Sequence, residues 1–193
     1  MLIIGIILLV IAFYIFAFYN QIKTLQVRIK ASVQEIGNQL KRQADLIPNL
    51  VNSAQAYLKH EKSIFEELTS ARKSITQAVE TGDTKKLDES QDLINRALGS
   101  LRVIVESNPE LKAAGIVSDL MNELRDTSDK LMYSRRTFID LTADHNTAIA
   151  TVPGAWIAGI FGFKEEKGLE TPLRGAHIEV SESETTTPQV KLN

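Results

Sequence analysis

Apolar side chains fill the first part of this 193-residue chain and then recur at helical spacing along most of the rest. Residues 2–19, LIIGIILLVIAFYIFAFY, contain no charged side chain. Beyond them, apolar positions step by three or four residues, which places them on one face of an α-helix, and period-two alternation is not sustained. The pattern predicts an all-α protein, with an N-terminal transmembrane helix followed by a long antiparallel four-helix bundle.

The apolar run is long enough to serve as a membrane anchor. A helix needs about 20 residues to cross a bilayer core, and residues 2–19 have uncharged neighbours on both sides. A cleaved signal peptide is the alternative, but no Lys or Arg precedes the run and no A-x-A site follows it. We predict a retained anchor over residues 1–22, which contacts the lipid bilayer through residues 2–19.

Charges beside the run predict its orientation. Basic residues exceed acidic ones in the segment that follows, where only Glu35 is acidic; they are Lys23, Arg28, Lys30, Lys41 and Arg42. Basic residues accumulate on the cytoplasmic side of membrane helices. We therefore expect a single-pass membrane protein with its N-terminus outside and its helical body, residues 23–152, in the cytoplasm.

Turn and cap residues predict where the bundle helices end. Gly82 suits the position after a helix, and Asp83 or Thr84 suits an N-cap. Asn108 and Pro109 fit the N-cap and the first residue of another helix.

Pro48 allows two topologies. Proline cannot donate a helical hydrogen bond and disfavours helical geometry at the residue before it. It either opens a second helix, so that the helices run up-down-up-down, or only kinks one long helix in a bundle of three arms. We favour a break, with four helical segments, the last spanning residues 116–152. In that topology the last helix returns to the membrane side.

Composition and spacing exclude several kinds of site. The chain has no cysteine, which excludes disulfides, a thiol nucleophile and thiolate metal sites. A net charge of −2 argues against nucleic-acid binding. His60-Glu61 lacks the second histidine of an H-E-x-x-H zinc site, and Gly154 and Gly159 lack the Lys-Ser/Thr of a phosphate loop. We expect no catalytic residue, metal or cofactor, and predict that the protein is not an enzyme.

A polar cluster around the predicted break is a candidate interaction site. It consists of Arg42, Asp45, Pro48 and Asn49. The alternative is structural, because Asp45 also suits an ion pair with Arg42 or an N-cap for a helix that Pro48 begins.

The segment 153–163 is the second candidate interaction site. It carries Trp156, Phe161 and Phe163 and is too short to cross a bilayer. It could enter the lipid interface, contact a neighbouring subunit, or fold back and seal the end of the bundle. Residues 164–193 lose the apolar period and are rich in Glu, Ser, Thr and Pro, so we predict a disordered tail.

Three strings give the chain a resemblance to a known family. They are LKRQADLIPNLV at 40–51, NPELKA at 108–113 and VPGAWIAGIFGF at 152–163. Together with the N-terminal apolar helix, they resemble the LemA family over residues 1–165. The resemblance implies a membrane-anchored antiparallel helical bundle, and no catalytic activity is established for that family in general.

These observations favour a non-enzymatic protein-interaction or self-assembling scaffold at the membrane. Long amphipathic helices beside an anchor offer extended surfaces, so homo-oligomerisation, including coiled-coil contacts, is one expectation. The sequence does not name a protein partner. The alternative function is a sensor or regulatory subunit of a membrane enzyme such as a protease or transporter.

Overall fold

The computed structural model describes residues 1–55 and 62–169, which form six α-helices. These are α1 (Leu2–Ala54), α2 (Lys62–Thr81), α3 (Thr84–Ser107), α4 (Pro109–Ala113), α5 (Gly115–Ala150) and α6 (Gly154–Phe161). No β-strand occurs within the two described ranges. The all-α prediction is confirmed.

α1 and α5 form an antiparallel pair. Ile22 of α1 clusters with Ile149, near the C-terminal end of α5. Further along α1, the Gln43 side-chain amide donates a hydrogen bond of 2.8 Å to the Ser128 hydroxyl. α1 has 53 residues and α5 has 36, which correspond to about 80 and 54 Å of helix at the usual rise.

α2 and α3 form a hairpin that packs on the distal part of α1. The hydroxyls of Ser74 and Ser90 lie 3.0 Å apart across the hairpin. Val79, near the end of α2, lies 3.9 Å from the place where a Cβ on Gly37 would be. Four antiparallel helices therefore pack only beyond the level of Gly37. Below it, residues 22–36 of α1 and 137–150 of α5 form a narrower part that we call the stalk.

The apolar stripes meet in one elongated core that α1, α2, α3 and α5 share. Its largest fully buried side chains include Leu40, Ile47, Leu50, Leu68, Ile75, Ile94, Leu101, Leu124, Leu131 and Phe138. Burying each such side chain contributes about 1.5–3 kcal/mol, so the stripes are the main stabilising feature of the bundle.

Local chemistry ends the helices where the cap residues predict. Gly82 follows α2 with φ at +62°, a left-handed conformation that glycine adopts without steric cost. Asp83 caps α3 by accepting a backbone N–H at 2.9 Å. Asn108 caps α4 by accepting two backbone N–H groups, at 3.0 and 3.3 Å, with Pro109 as the first helical residue. The last long helix, α5, ends within two residues of the predicted boundary.

The predicted break at Pro48 is wrong, because α1 continues through Pro48 to Ala54. A proline inside a helix costs about 3 kcal/mol through its missing hydrogen bond and ring clash. Its neighbours Ile47 and Leu50 are 2% and 0% exposed, and burying two such side chains contributes about 3–6 kcal/mol. Core packing therefore outweighs the local penalty. Asp45 lies inside the helix rather than at an N-cap, and the second segment begins with α2.

The N-terminal part of α1 is apolar and uncovered. Leu2, Ile3, Leu9 and Phe13 are each at least 70% exposed. By length and composition α1 is able to cross a membrane. The same helix then enters the bundle core without interruption.

Candidate functional site

A second, smaller apolar cluster lies where the apolar stretch of α1 meets the stalk. We call it the base; its buried members are Phe18, Ile22, Ile149, Ile157 and Ala158. The chain leaves α5, reverses, and returns as α6, whose inner face supplies the last two of these residues. α6 is therefore fixed beside the end of the apolar stretch.

Gly154 allows α6 to approach α1 closely. A Cβ at this position would lie 2.8 Å from two ring carbons of Phe18 and 2.2 Å from the carbonyl oxygen of Ala148. Neither distance is tolerated between non-bonded atoms. A glycine is thus required where the first residue of α6 passes between α5 and α1.

Gly162 ends α6 and directs the chain back towards α1. Its φ of +69° is left-handed, and its N–H and that of Phe163 both donate to the carbonyl of Ala158. A left-handed glycine with paired bonds of this kind is a common helix terminus. The turn brings Phe163 onto the surface of α1.

Three aromatic rings and one ammonium group meet at this turn. The Tyr19 ring centroid lies 5.1 Å from that of Phe161 and 5.6 Å from that of Phe163. The Lys23 ammonium lies 5.2 Å from the Phe163 ring centroid and 5.8 Å from that of Tyr19. Ring pairs at these distances attract one another, and a cation within about 6 Å of a ring face is stabilised by it.

The outer face of α6 is apolar and uncovered. Trp156 is 69% exposed and Ile160 is 78% exposed, and Val152 just before the helix is 65% exposed. No charged residue occurs between positions 151 and 163. Of the three placements that the sequence left open, the structure shows the segment folded back: its inner face seals the base, and its outer face is exposed.

Residues 164–169 lie along the stalk, and we call them the strap. The Asn146 side chain donates to the Glu166 carbonyl and accepts from the Glu166 N–H, each at 2.9 Å. Gln26 donates to the Glu166 carboxylate at 3.4 Å, and Leu169 packs against the main core. Glu166 and Leu169, which belong to the predicted tail, thus contact the long helices, and residues 170–193 lie outside the described part.

His145 is fully buried among the core residues of α5. Its Nδ1 lies 3.1 Å from the side-chain oxygen of Asn146. With the proton on Nδ1, the ring donates to the same oxygen that accepts the Glu166 N–H, so it helps to orient the strap contact. His60 and His177 lie outside the described residues.

The structure also places the residues of the polar cluster that was predicted around Pro48. Arg42 forms an ion pair with Glu123 of α5, so it reaches across the bundle instead of pairing along its own helix. Asp45 and Asn49 are exposed, and Pro48 is half-buried. Arg42 is 19 residues from Lys23, or about 28 Å along α1. The candidate interaction residues around Pro48 and those of segment 153–163 therefore lie on separate surfaces.

Two grooves flank α5 on the bundle surface. The groove between α3 and α5 has a volume of about 350 Å³, and its apolar lining includes Leu98, Val105 and Met121. The groove between α1 and α5 has a volume of about 670 Å³, and its lining includes Gln39, Tyr133 and Thr137. Within residues 1–55 and 62–169, no group of three His, Asp or Glu side chains is placed to hold a metal ion.

Sequence reasoning did not identify the close approach at Gly154 or the contact between Asn146 and Glu166. The sequence did contain one indication of the contact between Asn146 and Glu166, because Asn146 follows a histidine that lies on an apolar stripe. For Gly154 the sequence offers only a Pro-Gly stop, which says nothing about a ring packed against it.

Comparison with known proteins identifies a family and a relative. The model of the LemA family matches residues 32–190, beginning inside α1 beyond the apolar stretch. The magnetosome protein MamQ of Magnetospirillum gryphiswaldense is 27% identical over 184 residues, covering 80% of this chain and 68% of that protein. Because the family match covers most of the chain, this protein belongs to the LemA family.

Proposed function

We propose that the protein is a non-enzymatic, membrane-anchored scaffold whose helical bundle binds other proteins, or further copies of itself, at the cytoplasmic face of a membrane. Residues 2–19 cross the bilayer with the N-terminus outside. The observation that carries the proposal is the continuity of α1, which passes from the apolar stretch into the bundle core with no linker.

This continuity supports a scaffold because it limits how the bundle moves. A flexible linker lets a domain sample many positions. Here α1 is held against α5 at the base by Ile22 and Ile149, and again by the bond between Gln43 and Ser128. The anchor therefore presents the same bundle faces at the same height, as assembly with neighbours requires.

The proposed orientation rests on the basic residues that follow the apolar stretch. Lys23, Arg28 and Lys30 are exposed on α1, and such residues favour the cytoplasmic side. Since the chain has no cysteine, single cysteines report orientation directly. In intact cells, a membrane-impermeant maleimide is expected to label a cysteine inserted after Met1 and to label Asp45→Cys only after permeabilisation. The reverse pattern would refute the orientation.

The scaffold role is tested with the full chain in its native membrane. A photo-crosslinking residue at Tyr133, which is 74% exposed, is expected to give a specific adduct with a second copy or another protein. Gln21→Pro removes a helical hydrogen bond between anchor and stalk and is expected to reduce that adduct. The matched Gln21→Ala variant keeps it. The crosslinking residue is then moved to positions along both grooves. A protein that remains a strict monomer and gives no protein adduct from any of them contradicts the proposal.

A further inference from the structure

The outer face of α6 lies at a definite height along α1. The base cluster that holds α6 includes Phe18 and Ile22, and Ile15 packs against it. Ile15 and Ile22 are seven residues apart, or about 10 Å along the helix. The first charged side chain, Lys23, follows immediately. α6 therefore lies beside the last two turns of the apolar stretch.

That height corresponds to the boundary between acyl chains and headgroups if residues 2–19 cross a bilayer. Interfacial helices bury an apolar face about 5–10 Å into this boundary. The outer face of α6 presents Trp156 and Ile160, and tryptophan is enriched at this depth because its ring is apolar and its N–H is polar.

The neighbouring polar groups fit the same depth. The Lys23 ammonium lies over the rings of Tyr19 and Phe163, so a positive charge stands at the edge of the aromatic cluster. Lysines near the end of a membrane helix extend their charge to the headgroups while their stems lie on apolar surface. Lys164 is exposed just beyond the cluster.

We propose that α6 is a second lipid contact, with Trp156 and Ile160 inserted among the headgroups and upper acyl chains. Lipid is the occupant because α6 packs on Phe18 of the apolar stretch, whose exposed side chains the bilayer itself covers. Two contacts, the anchor and α6, fix the tilt of the stalk. This inference rests on the proposed anchoring by residues 2–19.

Trp156 is the single tryptophan of the chain, so its fluorescence reports the position of α6. The full-length protein is reconstituted into phosphatidylcholine–phosphatidylglycerol vesicles that contain lipids brominated near the glycerol end of the acyl chain. Trp156 emission is expected to be quenched strongly by these lipids, less by lipids brominated near the terminal methyl, and weakly by aqueous iodide. Quenching by iodide without quenching by bromine would overturn the inference.

A second tryptophan position separates this inference from the anchoring itself. In a Trp156→Phe background, Phe13→Trp places the reporter inside the apolar stretch. Bromine quenching of Phe13→Trp without quenching of Trp156 refutes the α6 contact and leaves the anchor intact, whereas loss of both refutes the anchor. Shielding of Trp156 from both bromine and iodide assigns the face to a protein contact and also refutes the inference.

A matched pair of charged variants tests the contact through its energy. Ile160→Lys is expected to lower bromine quenching of Trp156, because a charge on the outer face disfavours insertion. Ile116→Lys, at a position that is 67% exposed at the far end of the bundle, is expected to leave quenching unchanged. Equal quenching in the two variants would contradict the proposed depth.

Discussion

The two glycines of α6, Gly154 and Gly159, differ in their surroundings. Close packing limits the first, whereas only helix propensity matters at the second. At Gly154 a Cβ would collide with the Phe18 ring and with a backbone carbonyl, whereas a Cβ at Gly159 would have open space around it. Gly154 is buried on the inner face of α6, and Gly159 is exposed on the outer face. The same substitution should therefore have opposite effects at the two positions.

We expect Gly154→Ala to lower the free energy of unfolding by about 1–3 kcal/mol, since overpacking forces the ring or the backbone to move. Gly159→Ala is expected to raise it by up to about 1 kcal/mol through helix propensity. Denaturant unfolding in mild detergent, followed by Trp156 fluorescence, measures both. A neutral Gly154→Ala would show that α6 does not pack on Phe18 as described.

One exposed ion pair predicts a small pH dependence. The hydrogen bond that Lys130 donates to Asp126 at 2.6 Å holds the pKa of that carboxyl below its ordinary value. A lowered folded-state pKa stabilises the protein above the ordinary aspartate pKa, and this contribution is lost as pH falls through the folded-state value. Thermal unfolding of the wild type should therefore lose more stability than Asp126→Asn between neutral and strongly acidic pH. Equal losses would contradict it.

Among the helices, α1 contains a proline whose cost to the helix is outweighed by the core contacts of its neighbours. Pro48 is half-buried between Ile47 and Leu50, both in the core. The helix continues past the proline to Ala54, although proline cannot donate the backbone hydrogen bond at that position. The penalty thus remains in the folded protein, and removing it should be measurable.

Pro48→Ala is expected to increase the free energy of unfolding by about 1–3 kcal/mol, because it restores a backbone donor and removes the ring clash. Asn49→Ala, at the next and exposed position, is the control and should change stability by less than about 1 kcal/mol. Chemical denaturation compares the two. If Pro48→Ala is destabilising, the ring contributes more through packing than it costs the helix.

The strap is a second element whose contacts can be isolated. Asn146→Ala removes both hydrogen bonds to the Glu166 backbone, each worth about 0.5–1.5 kcal/mol. Hydrogen exchange at the Glu166 amide should accelerate by about ten-fold or more. Gln26→Ala removes only a side-chain bond of 3.4 Å and should leave that exchange rate nearly unchanged. Similar rates in both variants would exclude the Asn146 contact.

The sequence predicts features that depend on local chemistry and misses those that depend on packing. Asp83 and Asn108 cap helices because their side chains reach nearby N–H groups, and this follows from residue type alone. The continuity of α1 through Pro48 depends on the burial of neighbours by other helices. The strap carries no periodic signal, since it is held by bonds from Asn146 and Gln26 and by the packing of Leu169. The Phe18 ring beside Gly154 comes from a distant part of the chain.

The whole molecule is elongated, and we expect the bundle to extend away from a membrane that residues 2–19 cross. Arg28 and Asn49 are exposed on α1 and are 21 residues apart, which corresponds to about 32 Å. In vesicles with headgroup-attached acceptors, a donor on Arg28→Cys should transfer energy more efficiently than a donor on Asn49→Cys. Equal transfer from both positions would mean that the bundle lies flat on the bilayer.

Because α1 is continuous, its number of residues fixes the rotation of the apolar stretch relative to the bundle about the helix axis. Each residue turns a helix by about 100° and advances it by about 1.5 Å. One residue added between Phe13 and Tyr14 would rotate residues 1–13 by that angle against the rest of the helix. Two copies whose anchors touch would then turn different sides of their rods towards each other. The number of residues along α1 therefore sets which side of the bundle would face a neighbouring copy.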